Sequence, residues 1–303
     1  RGRNVDLRIS TLPTVHGEKA VLRILDRSSF LLPKHELGFT DENLLKFDEL
    51  LKNPHGIILV TGPTGSGKST TLYTMLHELN TISDNIITVE NPVEFMMEGL
   101  NQVQVNARAG LNFASALRSI LRQDPDIIMI GEIRDQETVQ IAIRAAITGH
   151  LVLSTIHTND AVGTVARLMD MGIEPYMLSA SLVGVISQRL LRKLCPRCAQ
   201  SVTPDPREIA SLGQAYAGIT SIKEPAGCSY CNNTGYKGRI AVHEFLMIDK
   251  DFRAMVNRGA SVDELREVAM VQGMKTLGQE CVRLLRDGIT SLPEVIRAAY
   301  SHS

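Results

Sequence analysis

The residues best suited to chemistry lie in one stretch of eight, which consists of Gly62, Pro63, Thr64, Gly65, Ser66, Gly67, Lys68 and Ser69. Their order fits G-x-x-x-x-G-K-[ST], the pattern of loops that wrap the phosphates of nucleoside triphosphates. Glycines allow backbone conformations in which successive N–H groups converge on phosphate oxygens at the start of a helix. Lys68 adds a full positive charge for the β- and γ-phosphates, and the Ser69 hydroxyl suits the Mg²⁺ that bridges them.

The segments on either side of this loop agree with that interpretation. Gly56–Thr61 is a short apolar run typical of a buried parallel strand. After the loop, apolar residues recur at helical spacing, which predicts a helix from Ser69 to about Asn80. The alternative is a glycine-rich turn that binds no ligand. A strand, the loop and a helix in this order favour a nucleoside triphosphate site.

Acidic residues follow two further apolar runs, at positions where parallel α/β sheets open their ligand crevices. Ile127–Ile130 leads into Glu132, where phosphate-loop enzymes place a carboxylate that holds Mg²⁺ or polarises the attacking water. Ile86–Glu90 ends at one glutamate, and Glu94 follows four residues later. Either of these two glutamates could orient the water that attacks the γ-phosphate. The competing interpretation is a set of solvated acids at ordinary strand ends and turns.

A histidine stands at the end of a third apolar run. His157 follows Leu151–Ile156 directly and could donate a hydrogen bond to the γ-phosphate. A histidine with a purely structural role is the alternative, and the spacing alone does not distinguish the two.

Four of the five cysteines form two Cys-x-x-Cys pairs, Cys195/Cys198 and Cys228/Cys231, with 29 residues between them. Four thiolates in two close pairs suit a tetrahedral Zn²⁺, and a site filled by four protein ligands would be structural. A redox role is the competitor, although two such pairs outside a thioredoxin-like context fit a metal better. Cys281 shares a helical apolar stripe with three leucines and is predicted to be buried.

The composition is that of a globular protein of 303 residues with a net charge of −1. No uninterrupted apolar run approaches the roughly 20 residues that cross a bilayer, and no signal peptide is visible, so we expect a cytosolic protein. The near-neutral charge and 4% aromatic content argue against a nucleic-acid-binding protein. The chain begins at Arg1 in strand-like alternation, and we expect it to be a piece of a longer protein.

Strands that alternate with helices predict an α/β fold with a mainly parallel sheet covered on both faces. Two alternating runs before it, Val5–Pro13 and Glu18–Asp26, predict a hairpin. We divide the chain into the end of a truncated α+β domain (1–27), a linker (28–38), the ATPase core (39–188), a four-cysteine insertion (189–240) and a helical C-terminal region (241–303).

Four of these segments, taken in order, resemble a known family. Gly62–Thr70, Thr88–Glu94, Gly131-Glu132 and Gly149–Asp160 are similar to the Walker A, Asp box, Walker B and His box of secretion ATPases of the type II/type IV pilus superfamily. The resemblance covers nearly the whole chain. It implies a RecA-like, homo-hexameric motor that binds ATP and Mg²⁺ between neighbouring subunits.

The resemblance also implies roles for individual residues. Lys68, Ser69 and Thr70 would hold phosphate and Mg²⁺, Glu132 would be the Walker B acid, Glu94 the water-activating glutamate and His157 a γ-phosphate sensor. The usual Glu-Asp-Pro of the Asp box is Glu90-Asn91-Pro92 here, which leaves both glutamates in place.

Arginines are the other residues that the resemblance marks. Arg8 and Arg23 match arginines of the second N-terminal domain that family members bring onto bound nucleotide, and solvated surface charges are the alternative. Arg118 and Arg122 match residues associated with subunit contacts. An arginine at a site's edge stabilises charge on the transferring phosphoryl group and couples hydrolysis to domain position.

The function that follows is a cytoplasmic motor ATPase, bound peripherally to the inner membrane through a platform protein. It would power assembly of a pseudopilus or pilus. The first alternative is a pilus-retraction ATPase, against which the four cysteines count, since the family's retraction members lack them. The second is a nucleic-acid-translocating zinc protein, suggested by Arg189, Arg192, Lys193 and Arg197 beside the first cysteine pair.

Overall fold

A computed structural model describes residues 5–26, 31–211, 213 and 216–300. Parts of the predicted segments at 1–4, 27–30 and 301–303 lie outside these described residues. The strands are β1 Val5–Thr14, β2 Gly17–Asp26, β3 Gly56–Thr61, β4 Ile86–Glu90, β5 Asn101–Gln104, β6 Ile127–Ile130, β7 Leu151–Ile156, β8 Leu182–Leu194, β9 Ala199–Val202, β10 Ile222–Pro225 and β11 Tyr236–Met247. The helices are α1 Asp41–Leu51, α2 Lys68–Leu79, α3 Phe113–Ile120, α4 Gln136–Ile147, α5 Ala161–Asp170, α6 Pro175–Ser181, α7 Pro206–Ser211, α8 Lys250–Asn257, α9 Val262–Val271, α10 Leu277–Arg286 and α11 Leu292–Tyr300.

A seven-stranded sheet in the order β11-β8-β3-β7-β6-β4-β5 forms the centre of the molecule. Every neighbouring pair is parallel except β11 with β8, which is antiparallel at one edge. This confirms the predicted α/β class with a mostly parallel sheet. Parallel strands place their carboxyl ends along one edge of the sheet, and the predicted site residues follow those ends.

Both faces of the sheet are covered, as the alternation within β3 illustrates. Ile57 and Leu59 belong to the apolar cluster that includes residues of α3 to α6, whereas Ile58 and Val60 belong to the cluster that includes residues of α1 and α2. A third apolar cluster joins α10 and α11 to β8 and β11, and Cys281 is fully buried there, as predicted. The phosphate-loop strand and helix are therefore fixed from two sides.

Two regions are smaller than this core. Strands β1 and β2 form the predicted antiparallel hairpin, and its apolar residues Leu7, Ile9, Leu22 and Ile24 are each more than half exposed. Strands β9 and β10 form a second two-stranded sheet beside the cysteine pairs. Within the described part of the chain, no helix is long and apolar enough to cross a membrane.

The sequence gives little sign of two strands in the main sheet. Arg189–Leu194 belongs to β8 and Tyr236–Ile240 to β11, so both ends of the segment predicted as a four-cysteine insertion continue into the central sheet. The pair runs antiparallel with a register shift between Tyr236 and Arg239. The division of the chain into domains stays a prediction.

Candidate functional site

The carboxyl ends of β3, β4, β6 and β7 surround a cavity of about 440 Å³. Parallel pairing brings these ends together although they are spread over almost a hundred residues of sequence. The predicted residues that line the cavity are Thr64, Gly65, Gly67, Lys68, Ser69, Thr70, Glu90, Glu94, Glu132 and His157.

Five residues predicted for this site lie outside the lining, namely Gly62, Pro63 and Ser66 within the phosphate loop and Arg8 and Arg23 on the hairpin. Arg8 and Arg23 face each other across the β1–β2 hairpin as cross-strand partners, and both are exposed. Neither belongs to the lining of the cavity. If they bind nucleotide, they reach it after a movement of the hairpin or from another copy of the chain.

The phosphate loop is packed tightly against β8. Gly62 and Gly67 have φ angles of 143° and 93°, a region that favours glycine. A Cβ on Gly62 would lie 2.4 Å from the Gln188 carbonyl oxygen, and one on Gly67 would lie 2.9 Å from Gln188 Nε2. That amide donates to the Ser66 carbonyl at 2.6 Å and its oxygen accepts from the Thr71 hydroxyl at 2.8 Å. The loop is therefore fixed before any ligand arrives.

Lys68 folds back onto the loop that precedes it. Its Nζ donates to the carbonyl oxygens of Gly62 at 2.7 Å and Pro63 at 3.0 Å. Burial lowers the pKa of this ammonium to about 8, with a further decrease from Arg189 and an opposing effect from Glu132. A buried cation whose direct hydrogen-bond partners are two carbonyl oxygens suits an anionic ligand.

Two residues near Lys68 carry oxygen atoms that could bind Mg²⁺. The Ser69 hydroxyl is exposed at the first turn of α2, and the Glu132 side chain is 15% exposed on the opposite wall of the cavity. Hydroxyl and carboxylate oxygens are the ligands that Mg²⁺ takes from proteins, usually together with phosphate and water. These residues fit the ion that nucleoside triphosphates carry.

Glu132 is surrounded by positive or ionisable partners. Its carboxylate forms an ion pair with Arg134 at 2.7 Å and lies 3.7 Å from His157 Nε2. The His157 side chain is 48% exposed and Arg134 is 67% exposed, so both reach solvent at the cavity mouth. The acid and the histidine therefore lie close together, because β6 and β7 are neighbours in the sheet.

The two glutamates around Pro92 have different environments. Glu90 is 4% exposed, and its carboxylate accepts hydrogen bonds from Tyr73, Thr88 and Gln102. Glu94 is half-buried at the cavity wall, and its carboxylate has no hydrogen-bond or ion-pair partner among the residues that the structure describes. Glu94 is therefore the one with a carboxylate free to meet water.

Sequence reasoning missed several residues of this site. Gln188 donates a hydrogen bond to the phosphate loop, and Tyr73, Arg134 and Arg239 line the cavity. A weak signal existed for Tyr73, which is four residues after Ser69 and so shares its helix face. Arg239 had none, because it comes from the antiparallel edge strand β11.

The four predicted metal ligands come together in space. Their sulfur atoms all lie within 4.8 Å of one another, with Cys195–Cys228, Cys198–Cys231 and Cys228–Cys231 separations of 3.8, 3.8 and 3.7 Å. Four sulfurs placed about 2.3 Å from a tetrahedral Zn²⁺ lie about 3.8 Å apart. The cluster therefore has the dimensions of a four-thiolate zinc site.

The basic residues beside the first cysteine pair have partners inside the protein. Arg189 is 6% exposed and donates to the carbonyl oxygens of Gln188 and Asn159. Arg192 pairs with the buried Glu294 at 2.9 Å and lies over the Tyr236 ring. Arg197 lies over the Tyr230 ring. Three of the four charges in this cluster are thus engaged in packing.

The fold and the loop define a phosphate-loop protein with a mostly parallel α/β sheet. Residues 1–297 match the protein family described as Type II/IV secretion system protein, and the chain belongs to that family. It is 49% identical over 296 residues to the type II secretion system ATPase E of Vibrio cholerae. It is 50% identical over 295 residues to the type IV pilus assembly ATPase PilB of Thermus thermophilus.

These alignments include 98% and 97% of this chain but 59% and 33% of the two relatives, so the chain spans well under two thirds of their length. Among solved structures, the pilus retraction motor PilT with bound ADP superposes with a TM-score of 0.71 at 32% identity, over 97% of this chain and 74% of that one. The ATPase DotB of Legionella pneumophila has the same fold, with a TM-score of 0.70 at 22% identity, over 97% and 73%.

Proposed function

We propose that this chain is the ATP-hydrolysing, RecA-like core of a motor that assembles a pseudopilus or pilus in type II secretion or type IV pilus extension. One observation carries the proposal. The phosphate loop, Glu94, Glu132 and His157 converge on a single cavity at the sheet edge. Relatives at about 50% identity are named as ATPases of these two systems, which supports the same chemistry here.

Each residue has a role that its position supports. Gly62–Thr70 wraps the triphosphate, and Lys68 leaves its two carbonyl partners for phosphate oxygens. Ser69 and Glu132 would hold Mg²⁺, which would neutralise phosphate charge when bound. Glu94 accepts the proton of the attacking water and orients it, because its carboxylate is free. His157 donates a hydrogen bond to the γ-phosphate.

The motor works as a homo-hexamer with its ATP sites between subunits. The positions of Arg8 and Arg23 are compatible with this arrangement, since both are exposed on a hairpin outside the cavity. A site that takes an arginine from a moving hairpin or a neighbouring subunit links hydrolysis to a change in position. We assign the partner to an inner-membrane platform protein, and the location to the cytoplasmic side of that membrane.

The four-cysteine cluster binds a structural Zn²⁺. Cys195 and Cys231 are buried, and the Cys231 sulfur accepts from the N–H groups of Cys228 and Gly235, both at 3.2 Å. Burial raises the pKa of the Cys231 thiol, but these donors and the neighbouring sulfurs lower it overall to about 6, whereas burial raises the pKa of the Cys198 thiol to about 12. The support for zinc is therefore the spacing of the four sulfurs rather than their ionisation. The cluster also favours the assembly and secretion branch over retraction.

Nucleic-acid translocation has less support. Of the four residues that suggested it, Arg189 is buried against carbonyl oxygens, Arg192 pairs with Glu294, and Arg197 lies over the Tyr230 ring, while Arg192, Lys193 and Arg197 are exposed. Four basic residues in a chain with a net charge of −1 are weak support for binding a phosphate backbone.

The experiment that tests the proposed function is Lys68→Ala, with ATP hydrolysis measured on the purified protein. We expect the rate to fall by about 100-fold or more, because the mutation removes the cation beside the transferring phosphoryl group. Lys52→Ala is the matched control, since Lys52 is an exposed lysine at the end of α1. Hydrolysis by Lys68→Ala at the wild-type rate would refute the proposed site.

A further inference from the structure

The hydroxyl group of Tyr73 joins two parts of the candidate site that are distant in sequence. Tyr73 lies on α2, on the same helix face as Ser69, and is 1% exposed. Its hydroxyl donates to Glu90 Oε2 at 2.5 Å and accepts from the backbone N–H groups of Glu94 and Phe95, both at 3.3 Å. One phenol therefore connects the phosphate-loop helix to the loop that carries Glu94.

The two backbone N–H groups fix the direction of this hydrogen-bond chain. The N–H groups of Glu94 and Phe95 can only donate, so the phenol oxygen accepts from them and the Tyr73 proton points toward Glu90. Burial, together with the hydrogen bond to Glu90, raises the pKa of Tyr73, which keeps the phenol protonated. Thr88 and Gln102 hold the same carboxylate at 2.6 and 3.2 Å.

The loop after β4 depends on side chains for its position, because residues 91–97 form no regular helix or strand. The side chain of Gln102 donates to the Phe95 carbonyl at 2.9 Å and accepts from the Met97 N–H at 2.7 Å. Gln104 accepts from the Val93 N–H at 3.2 Å. Tyr73 is the residue in this set that reaches the Glu94 backbone itself.

We propose that Tyr73 is a positioning residue for hydrolysis, which holds the Glu94 carboxylate at the distance from the phosphate loop that the attacking water needs. This inference rests on the role proposed above for Glu94. In this proposal Glu90 orients Tyr73, a role that suits a buried carboxylate that accepts hydrogen bonds from Tyr73, Thr88 and Gln102. A displacement of about 1 Å in a catalytic group costs up to about 100-fold in rate.

The test is a double-mutant cycle with Tyr73→Phe and Glu94→Gln, measured as steady-state ATP hydrolysis. Tyr73→Phe removes only the hydroxyl, and we expect kcat to fall about tenfold while KM for ATP stays within about twofold. In the Glu94→Gln background the same change should have no further effect, because there is no carboxylate left to position. Tyr236→Phe is the matched control, since its hydroxyl also makes a hydrogen bond, to Ser291 at 2.7 Å, and its kcat should be unchanged.

Two further measurements separate positioning from general support of the fold. Backbone amide hydrogen exchange should accelerate at Glu94 and Phe95 in Tyr73→Phe and stay unchanged in Leu151–Ile156. Gln102→Met loosens the same loop from its other side, so it should also lower kcat and should be non-additive with Tyr73→Phe. If Tyr73→Phe is too unstable to assay, Gln102→Met alone carries the cycle with Glu94→Gln.

The outcomes distinguish this inference from the proposed function. The positioning role of Tyr73 is overturned if Tyr73→Phe has the wild-type kcat. It is also overturned if Tyr73→Phe lowers kcat by the same factor in the wild-type and the Glu94→Gln backgrounds. In either case, an inactive Glu94→Gln variant still supports the role proposed for Glu94. A Glu94→Gln enzyme as active as wild type overturns both.

Discussion

The cavity at the sheet edge and the four-cysteine cluster are both sites of chemistry, but they owe their shape to different forces. The cavity takes its residues from four parallel strands, each packed on both faces by apolar clusters. The cysteines lie beside the two-stranded β9–β10 sheet, and Ile209, Tyr216 and Ile222 from the segment between the two pairs join the apolar cluster of α10 and α11. The core therefore shapes the first site before any ligand binds, whereas the proposed zinc would tie together two cysteine pairs that are 29 residues apart in sequence.

The largest effect that this comparison predicts is on the stability of the cysteine region. Cys231→Ala should remove bound zinc and destabilise residues 195–235 by several kcal/mol, because structural zinc sites contribute folding free energy directly. The measurements are metal content by elemental analysis and hydrogen exchange across that segment. The apolar core around β3 should keep its protection, since it shares no ligand with the cluster.

Cys281→Ala is the matched control for that variant. Cys281 is fully buried in the cluster of α10 and α11, so its loss creates a cavity but removes no zinc ligand. We expect zinc to stay bound at one ion per chain. A native protein that contains no zinc, or a Cys231→Ala variant that retains it, contradicts the assignment of the cluster.

A smaller effect concerns the charge of Lys68 at the other site. Because burial lowers its pKa to about 8, the ammonium of the nucleotide-free protein loses its proton as the pH rises through 8. Bound phosphates raise that pKa, so nucleotide binding takes up a proton above pH 8 and becomes weaker as the pH increases. We expect the Kd for ADP to rise about tenfold between pH 7.5 and 9.5 at constant ionic strength.

Lys68→Arg provides the reference for this titration. A guanidinium stays charged over the whole range, so any affinity that remains should change little between the two pH values. Equal Kd values for the wild type at pH 7.5 and 9.5 would show that the lysine is already fully protonated or is not in contact with the phosphates.

Much of the sheet-edge site could be predicted from the sequence, because its residues follow apolar runs whose burial fixes them. The eight-residue loop, the strands that end at Glu90 and Ile130, and the position of His157 after β7 are all local patterns. Parallel pairing then determines that these ends meet. The four cysteines were equally predictable, since two Cys-x-x-Cys pairs define a ligand set without reference to a fold.

Residues that act through long-range contacts could not be predicted in this way. Gln188 lies on β8, which precedes the first cysteine pair, and Arg239 lies on β11, which follows the second. Neither strand contains a recognisable sequence motif. The different environments of Glu90 and Glu94 depend on Tyr73 and Gln102, which belong to other elements. Spacing along the chain leaves both glutamates as candidates, whereas hydrogen bonds across the sheet tell them apart.

We propose that the cavity hydrolyses ATP with the help of the Glu94 carboxylate. The most direct test of this proposal is to measure ATP binding and ATP hydrolysis on Glu94→Gln, with Glu98→Gln as an exposed control in the same loop. We predict that Glu94→Gln binds ATP as tightly as the wild type and hydrolyses it about 100-fold or more slowly, because a carboxamide cannot accept the proton of water. Hydrolysis by Glu94→Gln within about twofold of the Glu98→Gln rate would contradict the account.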